Sequence, residues 1–112
     1  MPKYEITIEY CPKCNWMLRA AWLAQEILVT FENELEKVSL KPSAHAGIFM
    51  IKIGDYILFD RKTNGGFAEP KVYKQLIRDY IAPGKSLGHS DQHDWLSFIK
   101  KAIYRWLWIE IF

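Results

Sequence analysis

The sequence predicts an α/β (α+β) fold in which helices cover one mixed sheet, in the order β-α-β-β-β-α, with an additional C-terminal helix. Three observations support this. Some segments alternate apolar with polar residues, as half-buried strands do, whereas others repeat apolar residues every three or four positions, as helices do. Glycine and proline separate these segments. With 112 residues, of which 50% are apolar, the chain can bury a compact core.

The first three elements are predicted to form a βαβ unit. Residues 4–10 alternate strictly, which is typical of a strand with one solvated face. Residues 16–31 carry an apolar stripe with helical spacing and contain neither Gly nor Pro, so they predict a long helix. Residues 35–40 alternate again. Because a helix connects the two strands, a right-handed crossover with parallel strands is favoured.

A hairpin is predicted next. Residues 48–53 and 56–59 are apolar runs joined by Gly54 and Asp55, a pair that suits a tight turn, so the two strands should be antiparallel. The following segment, 60–66, is polar and rich in cations and glycine. It is predicted to be a mobile loop.

Two further helices complete the predicted order. Residues 70–81 begin with proline and carry one apolar stripe, and residues 95–112 show helical spacing of large apolar side chains. A turn-rich connector, 82–92, joins them. The order predicts a thioredoxin-like domain at residues 1–91 and an amphipathic C-terminal helix extension at 92–112.

Charge and hydropathy exclude several classes of protein. The net charge is +2 and the basic residues are interleaved with acidic ones, so we expect no nucleic-acid binding. No segment is apolar enough to predict a membrane span. Glu5 and Glu9 interrupt the only N-terminal stretch that could serve as a signal peptide. We therefore expect a cytoplasmic location.

The two cysteines of the chain form the motif Cys11-Pro12-Lys13-Cys14, between the first predicted strand and the first predicted helix. We expect the helix that follows to start near Pro12 or Lys13. Two thiols three positions apart at a helix start can form a disulfide reversibly, and helix N–H groups there stabilise a thiolate. The charge of Lys13 acts in the same direction, and Pro12 stiffens the turn. We predict a redox-active dithiol of Cys11 and Cys14.

Other residues are candidates for the surroundings of the dithiol. Trp16 follows Cys14 closely and is predicted to flank it, lining a partner surface. His45 lies in the break before the hairpin, where it could assist proton transfer, although a plain surface loop histidine is the alternative.

An anion site is a further hypothesis. Backbone amides of Gly65 and Gly66, together with the charges of Arg61 and Lys62, could bind carboxylates, and a simple turn is the alternative.

No metal site is predicted. His89 and His93 have a spacing found in zinc sites, and Cys11 and Cys14 could in principle complete the set. The two pairs are much farther apart in sequence than in a compact zinc finger. Solvated loop histidines are the simpler interpretation.

The residues around the dithiol resemble one family. The sequence is similar to the bacterial, cysteine-containing branch of the selenoprotein W-like (Rdx, SelT/SelW/SelH) family. The matching blocks are IEYCPKCNW at 8–16, LRAAWLAQE at 18–26, GIF at 47–49, GD at 54–55, DRK at 60–62, GGF at 65–67 and IAPGKSLGHSD at 81–91.

This resemblance implies a small thioredoxin-like redox protein linked to glutathione. In selenium-containing relatives the selenocysteine falls at the position of Cys14, which favours Cys14 as the attacking residue. Thioredoxin chemistry favours Cys11 instead, with Cys14 resolving. The approach to the third strand, residues 44–47, lacks the cis-proline of thioredoxins, so substrate docking should differ.

Two functions fit these observations. The first is a thiol-disulfide oxidoreductase that exchanges with protein or glutathione disulfides and needs no cofactor besides glutathione as a co-substrate. The alternative is a redox-sensitive interaction adaptor with little turnover of its own. The C-terminal helix is predicted to bind a membrane surface, to mediate self-association, or to pack on its own sheet.

Overall fold

The computed structural model describes residues 3–88, which form a mixed α+β structure of the thioredoxin-like class, as predicted. The strands are β1 (Tyr4–Tyr10), β2 (Leu35–Pro42), β3 (Phe49–Ile53) and β4 (Tyr56–Asp60). The α-helices are α1 (Met17–Thr30), α2 (Arg61–Asn64) and α3 (Pro70–Ile81), and a 3₁₀ turn spans Pro12–Cys14.

The four strands form one sheet in the order β2-β1-β3-β4. β1 is parallel to β2 and antiparallel to β3, and β3 and β4 form an antiparallel hairpin, so the predicted pairings are confirmed. At the end of β1, Tyr10 pairs with Pro42 on one side and Phe49 on the other. The segment that joins β2 to β3 therefore begins and ends beside Cys11.

One face of β1 and one face of α1 supply much of the core between them. Ile6 and Ile8 are fully buried on β1 because alternate strand residues point to the same face. On α1 the helical spacing buries Ala20, Leu23, Ala24 and Ile27. Burial of each large aliphatic side chain contributes about 1.5–3 kcal/mol, so this contact holds α1 against β1 and β2.

The start of α1 differs from the prediction. We expected the helix to begin near Pro12 or Lys13, but α1 begins at Met17. Asn15, which lies between the dithiol and α1, has left-handed backbone angles, φ 60° and ψ 37°, and prevents a continuous helix. Asparagine tolerates this conformation better than other residues with a Cβ atom. The dithiol consequently lies in a separate 3₁₀ turn.

The predicted mobile loop at 60–66 is also wrong in part, because α2 lies within it. The Asp60 carboxylate accepts hydrogen bonds from the Lys62 N–H (3.1 Å) and the Thr63 hydroxyl (3.1 Å), which is the geometry of a helix N-cap. Gly65 ends the helix with φ 79°. Local capping therefore orders a segment whose composition suggests a loop.

Contacts divide the chain into two compact units, one ending at Phe67 and one beginning at Ala68. In the second unit α3 confirms the predicted helix, with Tyr73 and Ile77 buried. The Tyr73 hydroxyl accepts a hydrogen bond from the Ala68 N–H, 2.9 Å away, which ties the helix to the segment before it.

The predicted extension at 92–112 and the boundary before it lie outside the described residues, and so do His89 and His93. Within residues 3–88, no helix is long and apolar enough to cross a membrane.

Candidate functional site

The two sulfurs lie close together at the end of β1. Both cysteines are free thiols, and the Cys14 thiol donates a hydrogen bond to Cys11 Sγ at a sulfur–sulfur distance of 2.6 Å. Cys11 is 1% exposed, whereas Cys14 is half-buried. The pair can therefore form a disulfide with little movement, and Cys14 is the member that solvent reaches.

The 3₁₀ turn holds the pair in this geometry. Pro12 occupies its first position, where its fixed φ suits the turn and its missing N–H leaves no donor unsatisfied. The Asn15 N–H closes the turn by donating to the Pro12 carbonyl, 3.3 Å away. Pro12 and Lys13 are exposed, so these two predicted flanking residues lie on the outer side of the turn.

A third segment reaches the sulfurs from the connection between β2 and β3. The backbone N–H of Gly47 lies close enough to both cysteines to lower the pKa of each thiol. Gly47 has φ 76°, which glycine adopts freely because it lacks a Cβ atom. Within residues 3–88 no peptide bond is cis, so a glycine amide stands where thioredoxins use cis-proline.

Ser43 anchors the connection between β2 and β3 through both its backbone and its side chain. The Ser43 N–H donates to the Tyr10 carbonyl at 2.7 Å, and its hydroxyl oxygen accepts from the His45 N–H at 3.1 Å. Ser43 also lowers the pKa of the Glu9 carboxyl, which accepts a hydrogen bond from Lys52 Nζ at 2.8 Å. The segment that presents Gly47 is thus fastened to β1 through Ser43.

The surroundings separate the pKa values of the two thiols. The hydrogen bond from the Cys14 thiol lowers the pKa of Cys11 below its ordinary value, and the N–H groups of Gly47, Cys14 and Lys13 act in the same direction against desolvation. These backbone donors take the role that we had assigned to the N-terminus of the long helix and to the Lys13 charge.

Cys14 is affected in the opposite direction. Its hydrogen bond to Cys11 raises the pKa of Cys14, and burial and the charge on Cys11 add to that effect. The Gly47 amide and the positive charge of Arg61 oppose it. After the pair loses its first proton, the remaining proton is therefore shared between the two sulfurs and is held more tightly.

Aromatic rings and arginines form a cluster beside the turn. The Trp16 ring meets the Phe67 ring edge-to-face at 5.0 Å and the Phe49 ring at 6.4 Å, measured between centroids. The guanidinium carbon of Arg61 lies 4.7 Å from the Trp16 centroid, and that of Arg19 lies 3.9 Å from the Phe67 centroid. Such contacts attract a cation to the face of an aromatic ring.

The structure brings together some of the predicted site residues and leaves others apart. Trp16 and Arg61 lie in the aromatic cluster, whereas the side chain of His45 is exposed. The Gly66 N–H donates to the Arg61 carbonyl at 3.0 Å and the Gly65 N–H to the Lys62 carbonyl, so both amides close α2. The amide half of the predicted anion site is therefore already engaged.

Sequence reasoning missed Gly47 and Phe67 as site residues. Both occur in blocks that carried the family resemblance, but neither has a side chain that performs acid–base or redox chemistry. Their role depends on position, which the sequence pattern does not reveal.

In the part of the chain that the structure describes, no three His, Cys, Asp or Glu side chains come together as a metal site would require. The zinc alternative involves His89 and His93, which lie outside those residues, so the absence of a zinc site stays a prediction.

Comparisons with known proteins agree with this geometry. A protein from Bordetella parapertussis with a known crystal structure is 46% identical in sequence to this chain, with a TM-score of 0.68. The match covers 71% of this chain and 100% of the Bordetella chain. A selenoprotein W-related protein from Vibrio cholerae is 49% identical with a TM-score of 0.67, and covers 70% of this chain and 98% of its own. No curated protein sequence matches significantly.

The sequence model of the Rdx family matches residues 5–79, a span that contains the dithiol, Gly47 and the aromatic cluster. The resemblance predicted from the residue blocks is thereby confirmed. This chain belongs to the Rdx family, whose members are thioredoxin-like and generally redox-related.

Proposed function

We propose that this protein is a thiol-disulfide oxidoreductase that reduces protein or glutathione disulfides through Cys14 and Cys11. One observation carries the proposal: two free thiols lie 2.6 Å apart, one of them buried and the other only half-buried. Family membership supports a redox role, and the donors around Cys11, which lower its pKa, support a thiolate within the pair.

In the first step, a Cys14 thiolate attacks one sulfur of a substrate disulfide. A mixed disulfide forms, the substrate sulfur–sulfur bond breaks, and the leaving thiolate takes up a proton. In the second step, Cys11 as thiolate attacks Cys14 Sγ, which forms the Cys11–Cys14 disulfide and releases the second substrate thiol. Two electrons and two protons pass to the substrate, and an external thiol reductant restores the dithiol.

Exposure decides which cysteine attacks. Cys11 is the better thiolate by pKa, but it is 1% exposed, and attack requires the substrate disulfide to line up with the sulfur. Cys14 is accessible, and its proton can pass to Cys11 along the hydrogen bond between them. We therefore assign attack to Cys14 and resolution to Cys11, which agrees with the position of selenium in relatives.

Adduct trapping tests this assignment. Cys11→Ser and Cys14→Ser variants are incubated with oxidised glutathione and analysed by intact mass. Cys11→Ser should accumulate a stable glutathione adduct, because the resolving thiol is missing, whereas Cys14→Ser should react much more slowly. A faster adduct on Cys14→Ser would reverse the roles, and the double variant provides the background.

Turnover distinguishes the oxidoreductase from a redox-sensitive adaptor. The wild-type protein should reduce bis(2-hydroxyethyl) disulfide over many cycles when a thiol-regenerating system is present. A single stoichiometric round without turnover would favour the adaptor. We further propose that the protein acts in a reducing compartment, where free thiols such as these persist.

A further inference from the structure

Two cations converge beside the sulfurs. A Cβ atom built on Gly47 would lie 3.8 Å from Arg61 Nη2 and 3.8 Å from Lys62 Nζ. The amide of the same Gly47 lowers the pKa of both thiols, and the charge of Arg61 acts on Cys14. The Arg61–Lys62 pair and the reactive sulfurs are therefore neighbours of the same glycine.

These cations lack acidic partners. Within residues 3–88, neither Arg61 nor Lys62 forms an ion pair, whereas Lys37 and Lys52 pair with Glu5 and Glu9. Arg61 Nε is buried without a hydrogen-bond partner, and the guanidinium lies over the Trp16 and Phe67 rings instead. Like charges this close repel each other, so an anion placed between them would be stabilised.

The thiolate of the Cys11–Cys14 pair can offset the positive charge of Arg61 and Lys62 only in the reduced protein. When Cys11 and Cys14 form a disulfide, the negative charge disappears and the two cations remain. A substrate that carries its own anion next to its disulfide supplies the missing charge during docking, before and after electron transfer.

From this geometry we propose that Arg61 and Lys62 select disulfide substrates that carry a carboxylate close to the reacting sulfur. The inference rests on the proposed function and names its substrate class. The redox step is the exchange described above. The cations change how tightly and in which orientation the disulfide docks, because charge complementarity favours the matching partner.

Three disulfides of similar size test the proposal: dithiodipropionate, bis(2-hydroxyethyl) disulfide and cystamine, which carry two carboxylates, no charge and two ammonium groups. Each kcat/KM is divided by the rate constant for reduction of the same compound by dithiothreitol, which removes differences in intrinsic reactivity. Wild-type protein should prefer the dianion over the dication, and added salt should weaken the preference.

Charge variants locate the effect. Arg61→Gln and Lys62→Gln should each lower the preference for the dianion over the neutral compound about fivefold, which is the effect of one charge at about 4 Å in water. Arg61→Lys should retain part of it. The control is Lys37→Gln, which removes the same charge from the exposed start of β2 and should leave the preference unchanged.

The outcomes separate the two claims. If the wild-type protein reduces the neutral compound but shows no charge preference, or if Lys37→Gln matches Arg61→Gln, the substrate class is wrong and the oxidoreductase stands. If the neutral compound is not turned over, the proposed function itself fails. Lys62 is exposed, so its variant tests the idea even if Arg61→Gln unfolds.

The source of the carboxylate is settled by two further substrates. Oxidised glutathione is compared with peptide disulfides whose cysteines are flanked by Asp, with Lys-flanked peptides as the matched control. A loss of kcat/KM in Arg61→Gln for glutathione alone assigns a small-molecule substrate, and a loss for the Asp-flanked peptides assigns an acidic protein segment.

Discussion

The backbone N–H of Gly47 lies beside the sulfur of Cys14 and lowers the pKa of that thiol, although the two residues come from different connections of the sheet. Pairing of Tyr10 with both Pro42 and Phe49 creates this proximity, because it brings the ends of β2 and β3 to the end of β1. A donor that lies far away in sequence thereby contributes to the ionisation of the dithiol.

Gly47→Ala should raise the pKa of both thiols and slow their alkylation by iodoacetamide several-fold at neutral pH. At φ 76° an added Cβ atom is strained, and it would lie 3.3 Å from Lys62 Cε, so we expect the backbone to shift and the effect of the amide on the thiols to weaken. The pH dependence of the alkylation rate, followed by intact mass, measures the effect.

Gly54→Ala is the matched control. Gly54 has φ 58° and an added Cβ atom there meets nothing within 4 Å, so this variant carries the same kind of backbone strain at a distant turn. Both variants should lose about 1 kcal/mol of unfolding free energy. Equal changes in alkylation would mean that the Gly47 amide has no direct effect on the thiols.

Removal of the Cys14 thiol should raise the pKa of Cys11, because the hydrogen bond from Cys14 is the main cause of its lowered value. The pKa of Cys11 in Cys14→Ala should therefore be higher than the first pKa of the wild-type pair. In Cys14→Ser, which keeps a hydroxyl donor, the pKa of Cys11 should lie between these two values. Thiolate absorbance at 240 nm as a function of pH reports these steps.

The same substitution at the other cysteine, Cys11, is the second half of that test. Cys11→Ala should lower the pKa of Cys14 relative to the second wild-type step, because Cys11 is the main cause of the raised value. Wild-type protein that lost both protons together at the ordinary cysteine value would contradict the coupling.

Asn15→Ala should lower the unfolding free energy by about 1 kcal/mol, whereas Asn15→Gly should be nearly neutral or stabilising. The reason is the left-handed conformation at φ 60°, which is unfavourable for alanine and open to glycine. A helix that ran continuously from the dithiol would give the opposite order, since alanine favours helix interiors over glycine. Urea unfolding of the reduced proteins decides between the two.

Glu9→Gln should lower the unfolding free energy by about 1 kcal/mol near neutral pH, because Glu9 forms a partly buried ion pair with Lys52 at 2.8 Å. The hydrogen bond from Lys52 lowers the pKa of Glu9 in the folded protein. Its contribution is therefore complete above the ordinary glutamate pKa of about 4.3 and is lost as the pH falls through the lower, folded value.

Glu5→Gln is the comparison for that experiment. Glu5 lies on the same strand and pairs with Lys37 at 3.7 Å, but both side chains are more than half exposed, so the effect should be much smaller. A difference between wild type and Glu9→Gln that persisted unchanged at pH 3 would rule out the ion pair as its cause.

Local patterns predicted most elements of the fold. Alternation identified β1 and the β3–β4 hairpin, helical spacing identified α1 and α3, and the crossover rule identified the parallel pairing of β1 with β2. Each of these depends on which face of an element is buried, and burial leaves a periodic signature in the sequence.

The errors arose where a few specific contacts outweighed composition. One is the break at Asn15, where a single residue with φ 60° separates the dithiol from α1. The other is α2, which the Asp60 cap orders inside a segment rich in polar residues. Such local hydrogen bonds have no periodicity, so a pattern over many residues does not reveal them.

The sequence by itself determined that two thiols lie together after a strand, that a βαβ unit and a hairpin build the sheet, and that the chain resembles the Rdx family. Only the tertiary structure decided which sulfur is less buried, and that Gly47, with Arg61 and Lys62 beside it, lies next to the pair. The physical reason is that exposure and electrostatics depend on distances between atoms of separate elements, whereas a sequence pattern records only which residues each element buries.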